Sequence, residues 1–298
     1  MSEKNNSQLH ILPCLDSDQM SLARQQELHI PKAVAATLGQ SALEALRTGF
    51  YVTQMGQKVV WGDAVQLACA AKLSLSPSTT LPSHESPSFP ETRVQVTNET
   101  TLGASLRLTE QGLRPLALNF ANGIEPGGGF LNGARAQEEV LCRSSALYGT
   151  LVGDPMYEAH RKRELPDSTD WAIYSPDVPV FRRDDGTELP KPWSLSILTC
   201  AAPYTPTVGQ PLSGDLLQKR IQRVLAIAQA YRYSTLVLGA WGCGAFHNDP
   251  LRTAGDFRQA LEDDYRGVFS DIVFAIVDWS PERKFLGPFR DVFSSEDR

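Results

Sequence analysis

The chain has 298 residues, 42% of them apolar and 21% charged, which is enough to bury one sizeable core beside a smaller accessory region. No apolar run approaches the ~20 residues that span a bilayer. The net charge of −6, with neither a basic patch nor an aromatic RNP-like motif, argues against direct nucleic-acid binding. The start, MSEKNNSQLH, lacks the basic residues and apolar stretch of a secretory leader, so an intracellular, cytoplasmic protein is expected. Five cysteines (Cys14, Cys69, Cys142, Cys200, Cys243) form no CxxC pair and are expected as reduced thiols. The histidines are equally dispersed and no HExxH occurs, so no metal site is expected.

In chain order, residues 18–49 predict two or three helices broken at Pro31 and near Gly39. FYVTQMGQKVVWGDA then reads as a short hairpin turning at Gly56. Residues 74–90 hold four prolines and six serines with little periodicity, the composition of a connector. The first 73 residues match no catalytic motif and are expected as a helical layer over the catalytic core. This places a mainly helical accessory region and connector at 1–90 and a catalytic domain at 91–298. The second part alternates. A strand RVQVT, a helix from about Thr101 to Gln111 and the strand PLALNFA lead into a glycine loop. One helix is then expected from Gln137 through Val140, Leu141, Ser144, Leu147, Tyr148 and Leu151. After it come WAIYS, SLSILTCAA, an amphipathic helix through Ile221, Val224, Leu225 and Ala228, the strand TLVLGA, a helix from about Pro250 to Tyr265, and the strand DIVFAIVD. Strands alternating with helices predict an α/β sandwich whose ligand sits beyond the carboxyl ends of its strands.

The run from Pro126 to Tyr148, PGGGFLNGARAQEEVLCRSSALY, carries the densest chemistry. Gly127, Gly128 and Gly129 permit positive φ and close approach of a ligand to the main chain. Glu138 and Glu139 follow at the first turn of a helix, where negative charge is tolerated. They are either functional or simply helix-capping acids. Neighbours on a helix point about 100° apart, so this pair cannot flank a glycosidic bond as two opposed carboxylates do. One acid is expected to move protons while the other positions the ligand, and their proximity should raise one of the two pKa values. A second loop, Gly239 to Phe246, follows a strand and precedes a helix, a setting that offers backbone N–H groups to an anion. It contains no GxxxxGK[ST], which argues against an ATP or GTP loop.

Six ordered blocks, VTNETTLGAS, NFANGIEPGGG, EEVLCRSSALY, IYSPDVPVFR, ILTCAAP and VLGAWGCGAFHNDP, resemble the microbial (bacterial) type of poly(ADP-ribose) glycohydrolase over essentially everything after about residue 91. The resemblance implies a macrodomain-like three-layer α/β/α sandwich with a mixed central sheet. It also implies an enzyme that releases ADP-ribose from poly(ADP-ribose) on ADP-ribosylated proteins, reversing ADP-ribosylation in the DNA-damage response without metal or cofactor. By resemblance Glu139 is the catalytic acid and base, Glu138 binds ribose hydroxyls and Gln137 supports the pair. The loop with Gly242, Cys243, Gly244 and Ala245 would wrap the diphosphate, together with the triple-glycine loop, and Cys243 would pack as a small residue beside phosphate. Phe246 would pack on ribose or adenine, or else be a core aromatic. Glu99 would hold the adenine amino group, or belong to the first turn of the next helix with Asn98 or Thr100 as its cap. Asn122 would orient the distal ribose, or cap its own loop. An acidic chain binding a polyanion should rely on local N–H groups and a few arginines. Tyr204 stands where the family is expected to have asparagine. The accessory region resembles that of the microbial type, which implies cleavage at chain ends. Two alternatives are a non-catalytic ADP-ribose reader and a hydrolase acting on a protein or nucleic-acid linkage.

Overall fold

Ser17 opens the first helix of the chain by accepting a hydrogen bond from Met20 N at 3.1 Å, a side-chain N-cap. The computed structural model describes residues 8–83 and 88–294, so residues 84–87 of the expected connector lie outside the described residues. Before Ser17 runs β1 (Gln8–Ile11), and after it α1 (Asp18–Leu28) and α2 (Lys32–Thr48). Pro31 separates the two helices, as predicted, but α2 continues through Gly39 without a break. The reason is tertiary. A Cβ at Gly39 would lie 2.5 Å from the carbonyl oxygen of Phe130, so glycine there lets α2 touch the glycine-loop backbone.

The hairpin β2 (Phe50–Val52) and β3 (Lys58–Val60) turns at Gly56, which has φ +79°. Then follow α3 (Gly62–Ala71), β4 (Leu73–Leu75), β5 (Glu91–Thr97), α4 (Thr101–Glu110) and β6 (Pro115–Ala121). A short 3-10 turn, Phe130–Asn132, precedes α5 (Gln137–Ser144), α6 (Leu147–Leu151) and α7 (Pro155–Arg161). The single helix expected from Gln137 is therefore two. Ser145 takes an extended backbone, φ −144° and ψ 177°, and forms an antiparallel bridge with Val180 that interrupts the helix. The remaining elements are β7 (Ala172–Arg182), β8 (Glu188–Ala201), α8 (Thr205–Val208), α9 (Leu212–Ala230), β9 (Thr235–Leu238), α10 (Pro250–Glu262), β10 (Asp271–Ala275) and α11 (Leu286–Val292).

Eight strands form one mixed sheet in the order β1-β5-β10-β9-β6-β8-β7-β4. Neighbours from β1 to β8 are parallel, whereas β7 is antiparallel to both β8 and β4. Side chains alternate across the sheet, as the two-residue strand period requires. Leu116, Leu118, Ile272 and Phe274 pack on the face covered by α9, α10 and α11, whereas Ala117, Val273 and Ala275 face the layer built from α2 to α6. The result is the expected three-layer sandwich. The N-terminal part is more than a helical cover, because β1 and β4 are edge strands of the central sheet. The boundary expected at residue 90 thus separates strands that share one sheet.

Candidate active site

The carboxyl ends of five parallel strands surround a cavity of about 440 Å³, within the size range of small-molecule sites. Thr100 and Thr101 follow β5, Asn122 follows β6, Ala202 follows β8, Ala240 to Gly242 follow β9, and Ile276 and Val277 follow β10. Ligands collect at such strand ends because helix N-termini and loop N–H groups converge there.

Glu138 and Glu139 reach this cavity from the first turn of α5. They do not cap their own helix, whose N-cap residue Ala136 makes no side-chain hydrogen bond. Other loops hold them instead. Asn122 N donates to Glu138 Oε2 at 2.6 Å, Asn119 Nδ2 donates to Glu138 Oε1 at 3.3 Å, and Gly129 N donates to Glu139 Oε1 at 3.1 Å. The carboxylates converge on Gly128, where an added Cβ would overlap Glu139 Oε1 and lie 3.2 Å from Glu138 Oε2. Burial pushes the Glu138 carboxyl up to about 8, and the charge of Glu139 adds to the rise, while the Asn122 N–H and the Asn119 amide oppose it. The expectation of one raised acid thus falls on Glu138, because Glu138 is the more deeply buried of the pair.

Gln137 knits α5 to the sheet. Its Oε1 accepts from Phe120 N at 2.9 Å, and its Nε2 donates to Leu118 O at 2.7 Å and Thr101 Oγ1 at 3.1 Å. Both amide hydrogens of Gln137 and one lone pair of its Oε1 are thus engaged with protein, which suits support of the pair, while the residue also lines the cavity. Asn122 Oδ1 accepts from Ile124 N and Glu125 N, both at 2.9 Å, so this side chain caps its loop while its backbone holds Glu138. The triple glycine differs from expectation. Gly127 and Gly128 take φ +71° and +55°, but Gly127 packs on Phe130 and Cys142, Gly128 on Glu138 and Glu139, and Gly129 on Ala134, and none of the three lines the cavity.

In the second loop, Gly242, Gly244, Ala245 and Phe246 line the cavity. Phe246 is half-buried and meets Tyr204 edge-on with ring centroids 5.8 Å apart, so Tyr204 buttresses the aromatic wall. Cys243 does not line the cavity. Its Sγ turns inward, 3.6 Å from both Trp241 O and Thr253 Oγ1, and burial pushes its thiol up to about 12. Glu99 is also displaced from its expected role. Arg107 grips its carboxylate at 2.6 and 3.0 Å outside the cavity wall, and Thr100 is the cap of α4, accepting from Gly103 N at 2.8 Å.

Leu28, Asp184, Trp279 and Phe285 line the wall from outside the motifs singled out in the sequence, and Arg135 lines it from within the glycine run. Arg135 Nη1 donates to Ile30 O at 2.7 Å, tying the glycine loop to the turn between α1 and α2. His29 meets Trp279 edge-on at 6.5 Å. The N-terminal segment therefore contributes to the site itself. Among the described residues, no group of three or more His, Cys, Asp or Glu side chains could hold a metal ion, and no helix is long and apolar enough to cross a membrane.

Residues 39–183 match the family model of the microbial-type PARG catalytic domain. Poly(ADP-ribose) glycohydrolase from Thermomonospora curvata is 37% identical, with a TM-score of 0.81 over 87% of this chain and 99% of that one. Its complex with the inhibitor ADP-HPD gives the same identity and coverage and a TM-score of 0.80. The Deinococcus radiodurans enzyme in complex with ADP-ribose is 39% identical, with a TM-score of 0.67 over 85% of this chain and 97% of that one. No curated protein matches the chain. Alignment across nearly the whole length of solved relatives, at more than a third identity, means that this chain belongs to the microbial-type poly(ADP-ribose) glycohydrolase family.

Proposed function

We propose that the chain hydrolyses the ribose–ribose O-glycosidic bond of poly(ADP-ribose) and releases ADP-ribose, with Glu139 as general acid and then base. The observation that carries this reading is the convergence of Glu138 and Glu139 on Gly128 at the cavity, each held by a loop N–H. Two carboxyls on the first turn of one helix, both at the cavity, supply a proton-moving group and a positioning group. Glu138, whose carboxyl burial pushes up to about 8, keeps a proton available near neutral pH. Glu139 delivers it to the leaving ribose oxygen as an oxocarbenium-like state forms, then accepts a proton from the attacking water. Glu138 hydrogen-bonds ribose hydroxyls. The Gly242–Ala245 loop carries the diphosphate, whose negative charge stabilises the sugar cation, and Phe246 packs on a ribose or the base.

Leu28 and Arg135, the latter tied to Ile30 O, add the N-terminal segment to the cavity wall, which supports attack at chain ends over internal units. The polymer's carriers are ADP-ribosylated proteins. The five free cysteines suit the reducing cytoplasm. The test is incubation with labelled, automodified poly(ADP-ribose), with products resolved by chromatography. Free ADP-ribose accumulating from the start supports the reading. Short oligomers appearing first would replace chain-end with internal cleavage, and binding without release would make the protein a reader.

A further inference from the structure

Next to the two glutamates lies a buried set of charges to which the reaction as described gives no task. Arg143 follows Glu139 by one helical turn on α5, and the i, i+4 spacing places both side chains on one face. It is only 1% exposed, yet none of its three guanidinium nitrogens has a hydrogen-bond partner among the described residues. Asp184, just past β7, lines the cavity at 5% exposure. Thr100 Oγ1 donates to its Oδ2 at 2.8 Å, while Oδ1 is buried without a partner among the described residues. Oε2 of Glu139 is buried and unpartnered in the same way. One cation and two carboxylates thus lie buried beside the cavity, each with hydrogen-bonding capacity unused among the described residues, and the paired Arg24 and Glu27 of α1 also act on Asp184.

A guanidinium removed from water is unfavourable unless anions compensate it. The anions that act on Arg143 are Asp184 first and Glu139 second, against the like charges of Arg182 on β7 and Arg135 before α5. Those two arginines are committed elsewhere. Arg182 donates to Leu38 O, Arg143 O, Ser41 Oγ and Glu188 Oε1, and Arg135 to Ile30 O. On the other side, Glu139 faces the carboxyl of Glu138. Arg143 is therefore the cation placed to answer a negative charge on Glu139.

We propose that Arg143 is a positioning residue for the glycohydrolase reaction: shared between Glu139 and Asp184, it holds the Glu139 side chain at the cavity and compensates the charge Glu139 acquires on giving up its proton. The inference rests on Glu139 as the acid. In that step the glycosidic C–O bond breaks, its electron pair stays with the leaving oxygen, and the proton of Glu139 passes to that oxygen. Water then adds to the sugar cation and returns a proton to the Glu139 carboxylate. Asp184 competes for Arg143. Burial pushes its carboxyl up to about 7, so its anionic form is present on the alkaline side, where loss of the acid's proton is read.

The test is the pH profile of kcat/KM for wild type, Arg143→Met, Arg143→Lys, Asp184→Asn and Glu139→Gln. Without the cation, Glu139 holds its proton more tightly, so Arg143→Met should move the alkaline limb up by about 1 pH unit and lower kcat at least ~10-fold. Arg143→Lys keeps the charge and should restore the limb and part of kcat. Asp184→Asn leaves Arg143 to Glu139 and should move the limb down. Opposite shifts cannot arise from simple destabilisation. Should Arg143→Met fail to fold, the downward shift in Asp184→Asn and the restored limb in Arg143→Lys still decide. An unchanged limb in Asp184→Asn, or shifts of the same sign in both variants, overturns the proposal when Glu139→Gln is inactive. An active Glu139→Gln instead overturns the assignment of the acid.

Discussion

Gly128 stands at φ +55° against the carboxylate of Glu139, and any side chain at position 128 would be driven into Oε1. The triple-glycine signature thus owes at least one of its members to the acid and not to a ligand. Gly128→Ala should lower kcat about 100-fold by displacing Glu139. It should cost only about 1–2 kcal/mol of stability through the left-handed backbone. Steady-state kinetics beside chemical denaturation checks this, and full activity in the variant would refute the close approach.

Glu138 gives the fold a pH dependence of definite sign. Its carboxyl rises from a reference of 4.5 to about 8, so the folded chain keeps a proton that the unfolded chain loses. The contribution of Glu138 to stability is therefore fully present below pH 4.5, declines as pH rises towards 8 and then levels off. Asp184, raised from 3.8 to about 7, adds a decline over the lower part of that window. Glu138→Gln should flatten the loss between pH 5 and 8 by about 4 kcal/mol. Denaturation curves across that range measure it, and an unaltered slope would contradict the raised Glu138 carboxyl.

Gly39→Ala sets local preference against packing. Alanine favours a helix interior by about 1 kcal/mol, yet its Cβ would sit 2.5 Å from Phe130 O, a backbone atom that cannot turn aside. The variant should lose about 1–3 kcal/mol overall, read from its denaturation midpoint. A more stable variant would mean that α2 can back away from the glycine loop.

Phe246 lines the cavity with Tyr204 fixed against its edge. Phe246→Ala should weaken ADP-ribose binding by about 1–3 kcal/mol, the range for an aromatic stacked on a nucleotide base. Titration calorimetry with ADP-ribose would show it, and equal affinity would return Phe246 to a core role.

Much of this was legible along the chain. The strand PLALNFA coincides with Pro115–Ala121 because a largely apolar run, broken only by Asn119, begins at a proline and ends shortly before the glycine loop. Glu138 and Glu139 stood out because their motif is local. What stayed hidden depends on distant partners. Ser145 breaks its helix to pair with Val180, a choice no periodicity records. β1 and β4, four and three residues long, join the sheet through edge pairing too short to leave a pattern. Asp184, Leu28 and Trp279 reach the cavity from three separate segments. Glu99 drew attention by its place after a strand, but Arg107, eight residues on, takes its charge.

The central claim is that Glu139 performs the proton chemistry of ribose–ribose hydrolysis. Its most direct test compares ADP-ribose release from labelled poly(ADP-ribose) by wild type and Glu139→Gln, with ADP-ribose binding measured on both. The account predicts steady release by wild type and a loss of ~100-fold or more in the variant, with binding retained. Release by Glu139→Gln at the wild-type rate would contradict it.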